Sequence, residues 1–165
     1  MKAHFEMFAA YNAWANRRLY EAAAEMDDEA RKAPAGAFFG SLHGTLNHLL
    51  AADQIWMKRF EGDGPAPTAL DEQPFDDFGP LRASRESLDG RMARFVDAQT
   101  EETLAGEVTY TTITGPKNVT QPLAEALSHV FNHQTHHRGQ CHHMLTAAGR
   151  DAPPLDLLFW MRERG

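Results

Sequence analysis

Residues 122–149 read PLAEALSHVFNHQTHHRGQCHHMLTAAG. Pro122 suits the first turn of a helix, where a missing N–H costs nothing, and Gly149 suits its end. Between them Leu123, Leu127, Val130, Cys141, Leu145 and Ala148 gather on one face at about 100° per residue. A helix with one apolar face has to bury it against other elements. Immediately upstream, 107-EVTYTTIT-114 is β-branched and alternating. Gly115-Pro116-Lys117-Asn118 reads as a turn and Val119-Thr120-Gln121 as the return, so a small β-hairpin or extended loop feeds this helix.

Further upstream, three more helical segments are expected. Phe5, Phe8, Trp14, Leu19 and Ala22 recur at helical steps over residues 3–26. Ser41 is a suitable N-cap for a second helix that runs to Glu61. Leu81, Leu88, Met92 and Phe95 give the stripe of a third helix over about 76–102. Residues 62–75, rich in Pro and Gly, form a long crossover loop, and residues 27–40 read as a loop. After Pro153-Pro154 a short terminal helix is expected over 155–162. With no repeated βαβ pattern, the expectation is an all-α four-helix bundle in one domain, 1–165.

Composition agrees. The chain has 165 residues, 42% hydrophobic and 24% charged, which excludes a disordered or fibrous protein. Lys+Arg number 16 against 23 Asp+Glu, and this −7 balance with no Lys/Arg stripe argues against nucleic-acid binding. The single cysteine, Cys141, excludes an internal disulfide and fits a reducing compartment. No run approaches the roughly 20 apolar residues of a membrane helix, and Glu6, Asn12, Asn16 and Arg17 interrupt any secretory signal. A cytoplasmic protein is expected.

Of nine histidines, six lie between His129 and His143. Against the core face of their helix, His137 lies roughly 40° away, His133 roughly 80°, and His129 and His136 roughly 120–140°. His133 and His137 are thus the inward pair, four residues apart and stacked on one face. Two such imidazoles can share one metal ion, or sit as hydrogen-bonded core residues. A stable site needs a third ligand from another helix. The second helix offers His48, on an apolar flank with Thr45, Ala52 and Ile55, and His43, on a wetter flank near Gln54 and Glu61. Spacing leans towards His48. Asp53 falls in the middle of the apolar stripe, where it orients a ligand, pairs with an arginine, or escapes to the surface through a small rotation. Cys141 reads as a buried hydrophobe rather than a fourth ligand.

Four segments together resemble the DinB-like (damage-inducible) family of metal proteins: 11-YNAWANRRL-19, 48-HLLAADQIW-56, 132-NHQTHHRGQ-140 and 156-DLLF-159. The third is the specific one. The resemblance implies a four-helix bundle, often a homodimer, with a divalent ion held by one histidine of the second helix and two of the fourth, here His48, His133 and His137. Imidazole ligands suit zinc or nickel, and iron after them. It further implies a metal-dependent thiol S-transferase or related detoxifying enzyme that uses a low-molecular-weight thiol and an electrophilic small molecule. The competing expectation is a non-catalytic metal-binding or stress-response protein, and an open coordination position facing a cleft would discriminate the two. No residue stands out as general acid or base. Asn47, Asp53 and Gln134 are candidate orienters, and Arg138 is expected in a surface salt bridge.

Overall fold

The computed structural model describes residues 1–69, 72–115 and 117–165. Residues 70 and 71 of the expected crossover and Pro116 of the expected turn lie outside the described residues. The elements are α1 (Lys2–Ala24), α2 (Asp28–Lys32), α3 (Leu42–Glu61), α4 (Phe78–Asp97), α5 (Glu101–Leu104), β1 (Glu107–Thr111), β2 (Asn118–Pro122), α6 (Leu123–Ala147) and α7 (Leu157–Glu163). The expected all-α bundle with a hairpin and a short terminal helix is what forms.

Local chemistry sets the boundaries. Ser41 Oγ accepts the Gly44 N–H at 3.0 Å and starts α3. Gly62, at φ 75°, ends it. The segment 27–40 is not all loop: Asp27 Oδ1 accepts the Ala30 N–H at 2.7 Å and nucleates α2. The third helix does not reach residue 102. It stops at Asp97, and Thr100 opens α5 through a reciprocal capping box with Thr103. A threonine that can serve as a cap competes with continuing the helix. The hairpin pairs Glu107 with Pro122 and Thr111 with Asn118. Pro122 tolerates its missing donor because only one strand neighbours it.

α1 packs on α4 and α6, and α3 packs on the same two, so α1 and α3 stand diagonally across the bundle. Leu19, Leu46, Leu49, Leu50, Leu81, Leu127 and Leu145 are among the fully buried side chains of the core. Ala148, expected on the core face, is exposed because α6 has already ended. The tail is pinned by Tyr11 Oη, which donates to the Leu155 carbonyl at 2.6 Å, and by the Trp14 indole, which donates to Glu163 at 2.8 Å. Among the described residues no helix is long and apolar enough to cross a membrane.

A polar network runs through the middle of this core. Asp53 on α3 accepts from Arg85 Nη1 on α4 at 2.8 Å and from Gln134 Nε2 on α6 at 2.5 Å. Arg85 Nη2 reaches Asp89 at 2.8 Å. Asp89 also accepts from Asn12 at 3.1 Å and Asn16 at 3.0 Å, both on α1. Arg138 on α6 closes the circuit by donating to Asn12, and to Asn16 and Gln134 at 3.3 Å. Arg138 is therefore buried, not the surface ion pair expected, and Asp53 takes the arginine-paired alternative. Burial pushes the Asp89 carboxyl up to about 6, opposed by Arg85, and raises Asp53 as well. Burial opposes the charge of Arg85 too, but Asp89 and Asp53 outweigh it and hold its proton above the usual range.

Arg85→Ala leaves Asp53 and Asp89 facing each other without the cation between them. The expected loss is about 3–5 kcal/mol, the usual cost of orphaning a buried charge, read as a lower urea midpoint at unchanged slope.

Candidate metal centre

α6 carries His133 and His137 on the face turned to α3, and α3 brings His48 opposite them. Among the described residues these three form a cluster whose ligand atoms all lie within 4.8 Å of one another. His48 Nε2 and His133 Nε2 are 3.2 Å apart. His48 and His137 are nearly buried, at 7% and 8% exposure, and His133 is half-buried. Burial, followed by the neighbouring His137 and His48, lowers His133 to about 3. Burial also lowers His137, partly offset by its bond to Gln140.

Gln140 was not singled out from the sequence, yet its Oε1 lies 2.8 Å from His137 Nδ1. An amide oxygen only accepts, so this contact puts the ring proton on Nδ1 and leaves the Nε2 lone pair for another partner. Gln140 Nε2 in turn meets exposed His136 at 3.2 Å. Phe39 is the other unforeseen member. Its ring stacks on His48 at 3.7 Å between centroids and meets His137 edge-on at 5.5 Å. Neighbouring Phe38 points outward, 90% exposed. The Phe39 backbone passes so close to the first turn of α3 that a Cβ on Gly44 would stand 2.1 Å from its carbonyl oxygen.

The remaining sequence candidates have other work. His43 is not on a wet flank: it is 2% exposed, and its Nε2 lies 2.9 Å from the Phe75 carbonyl. Asn47 brackets the same residue, donating to Phe75 O at 2.9 Å and accepting from Phe75 N at 3.0 Å. The crossover loop folds over this part of α3, which alternation along α3 alone could not reveal. Asn47, Asp53 and Gln134 thus hold the crossover and the buried network rather than a histidine ring. Cys141 is fully buried, and burial pushes its thiol well above the ordinary range. It is the small hydrophobe expected.

A divalent ion suits the donor set. Neutral imidazoles are its required form, and nitrogens bonded at about 2.0–2.1 Å in a tetrahedral shell stand about 3.3 Å apart, close to the 3.2 Å between His48 and His133. No fourth His, Cys, Asp or Glu among the described residues joins the cluster. On one side His48 and His133 line a cavity of about 370 Å³ with Ile55, Trp56, Arg59 and Ile113.

A family model for the DinB family matches residues 1–164. The chain belongs to the DinB family. It is 28% identical to Protein DinB of Bacillus subtilis (strain 168) over 152 residues, covering 88% of this chain and 87% of that one. The crystal structure of a DinB-like protein from Bacillus cereus superposes with a TM-score of 0.67 at 17% identity, covering 88% of this chain and 91% of the other. At that identity the likeness shows the DinB-like fold.

Two expectations follow from the geometry. An unfolded imidazole takes its proton near about 6.5, whereas folded His133 does so at about 3. In metal-free protein the His133 resonances should therefore stay constant between about pH 5 and 8, where an ordinary histidine titrates. Its contribution to stability is present above about 6.5 and fades as the pH falls below it. Gly44→Ala should cost about 1–3 kcal/mol from overpacking and abolish the cross-peaks between the Phe39 and His48 rings.

Proposed function

We propose that this DinB-family chain, acting as one domain over 1–165, is a divalent-metal protein in which His48, His133 and His137 are the ligands. We further propose that it works as a metal-dependent thiol S-transferase or related detoxifying enzyme. The observation that carries the reading is a cluster of three imidazoles with no fourth protein donor among the described residues; two of the three, His48 and His133, line a cavity. Catalytic sites keep such a position for a ligand from solution, while structural sites close it with a fourth side chain. Zinc or nickel is favoured by the all-imidazole set, with iron next. Bound there, the ion supplies Lewis acidity, which lowers the pKa of a coordinated thiol.

The chain's own residues prepare the site. Gln140 fixes the His137 tautomer, Phe39 covers His48 on its ring face, and Trp56 and Ile113 give the cavity an apolar wall for an electrophile. The thiol has to come from outside, because Cys141 is sealed in the core. The same reading places the protein in the reducing cytoplasm as a homodimer, with neither nucleic acid nor membrane as a partner.

Elemental analysis should find about one divalent ion per chain. His48→Ala, His133→Ala and His137→Ala should each lose it, whereas exposed His136→Ala should retain it. Unchanged metal content in the first three would sink the ligand set. Metal-dependent consumption of glutathione, bacillithiol or mycothiol with an electrophile is the expected activity. Stoichiometric metal with no turnover on any of the three would favour a binding protein.

A further inference from the structure

Arg59, near the end of α3, lines the histidine cavity. Its guanidinium lies 4.5 Å from the Trp56 centroid and 4.2 Å from that of Tyr110 on β1, in the corner formed by the two rings, which themselves meet edge to face at 5.3 Å. Contact with the ring faces uses none of its five N–H donors. Each of the other Lys and Arg side chains that is not exposed has an acceptor. Lys2 donates to the Asp97 carbonyl and Lys32 pairs with Asp28. Arg18 meets Glu163, Arg82 meets Glu86 and Arg91 meets Glu61. Arg31 donates to the Met26 carbonyl, and Arg85 and Arg138 belong to the buried network. Among the described residues Arg59 alone is half-buried with neither a hydrogen-bond acceptor nor a carboxylate within ion-pair reach. This occurs in a chain whose acidic residues outnumber its basic ones, 23 to 16.

A partly buried guanidinium with free donors in a cavity is an arrangement suited to binding a planar anion by two parallel hydrogen bonds. Arg59 is also the one Lys or Arg among the residues lining this cavity. A single positive charge matches a carboxylate, whereas a phosphate monoester carries about −1.5 to −2 and calls for a second cation. Besides the polar Thr112, Thr114 and His129, the walls include Ala52, Ile55, Trp56 and Ile113, which suit a short apolar arm. Ile55, Arg59 and Ile113 also line a second recess of about 350 Å³, which exposed Lys58 borders outside the histidine cavity, so the guanidinium stands at the junction of two hollows.

We propose that Arg59 is the anion-recognition residue of the histidine cavity, and that the cavity takes a small carboxylate-bearing molecule with its carboxylate on Arg59 and its other end towards His48 and His133. The carboxylate subsite stands on the cavity alone. That the other end is a thiol rests on the metal-protein reading above. Arg59 is a binding residue on this account, and the expected discrimination is that of one charge-assisted bidentate contact.

The test uses the full chain, first metal-free and then with added zinc. Propionate is titrated while the Arg59 Nε–Hε resonance is followed, and mercaptopropionate is compared with propanethiol by calorimetry. Propionate should shift the Arg59 resonance even without metal. With zinc, mercaptopropionate should bind about tenfold or more tightly than propanethiol. Arg59→Met, which keeps an unbranched stem against the rings, should make the two thiols equal. Arg59→Lys should recover only part of the difference, and the circular dichroism of both variants should match the wild type. If zinc binds at one per chain but propionate leaves Arg59 unshifted and the thiols bind alike, the carboxylate subsite is wrong and the metal reading stands. If propionate shifts Arg59 but no zinc binds, the subsite stands and the metal reading fails. Inorganic phosphate binding more tightly than propionate would overturn the assignment to a carboxylate.

Discussion

The bundle is organised around a buried charge circuit. Arg85 lies between Asp53 and Asp89, Arg138 answers it from the opposite helix, and Asn12, Asn16 and Gln134 connect the two halves. Within the circuit two guanidiniums face two carboxylates. The circuit takes residues from α1, α3, α4 and α6 together. Apolar stripes would let these helices slide or rotate by a residue at modest cost, but a shifted register would leave a charge unpaired where water cannot reach it. The circuit therefore acts on registry: it specifies one arrangement of four helices that hydrophobic burial alone would leave degenerate.

That registry places the three-histidine cluster. Gln134 donates to the Leu49 carbonyl at 3.3 Å as well as to Asp53. Leu49 follows His48, and Gln134 follows His133. The clamp thus sits directly beside the pair of rings it brings to 3.2 Å. The two centres divide the labour on the same two helices. One face of the α3–α6 seam is tied by the Gln134 bonds to Leu49 and Asp53, while the next keeps His48 and His133 turned to a hollow. Phe39 and Gln140 then limit the rings' remaining freedom, one by stacking and one by selecting a tautomer.

Much of this was legible along the chain. The four long helices follow from apolar spacing, and the hairpin from the alternation of residues 107–121. His133 and His137 emerge as a pair because four residues on a helix return to one face. His48 was preferred over His43 only weakly, and for an incomplete reason: both prove to be buried, and what separates them is that Phe75 from the crossover occupies His43. The end of the third helix was misplaced although Thr100-Glu101-Glu102-Thr103 carries a cap and an acidic first turn. An apolar stripe is a periodic signal, and a cap is a local one that periodicity overruns. Gln140 lies inside the most recognisable motif, but its action on His137 depends on a side-chain rotamer that spacing does not report.

The sequence by itself determined the helical periods, the inward pair on α6, the absence of an internal disulfide and the resemblance to the DinB family, because each is local in the chain or a matter of composition. The tertiary structure alone decided what each buried polar side chain is paired with. Arg138 looked like a surface cation and is a core one, Asp53 found Arg85 across 32 residues of chain, and Arg59 has no acceptor among the described residues. Pairing is a relation between residues distant in sequence, and the cost of an unpaired buried charge exceeds any local preference. Only the packed bundle shows which partner each buried charge has found.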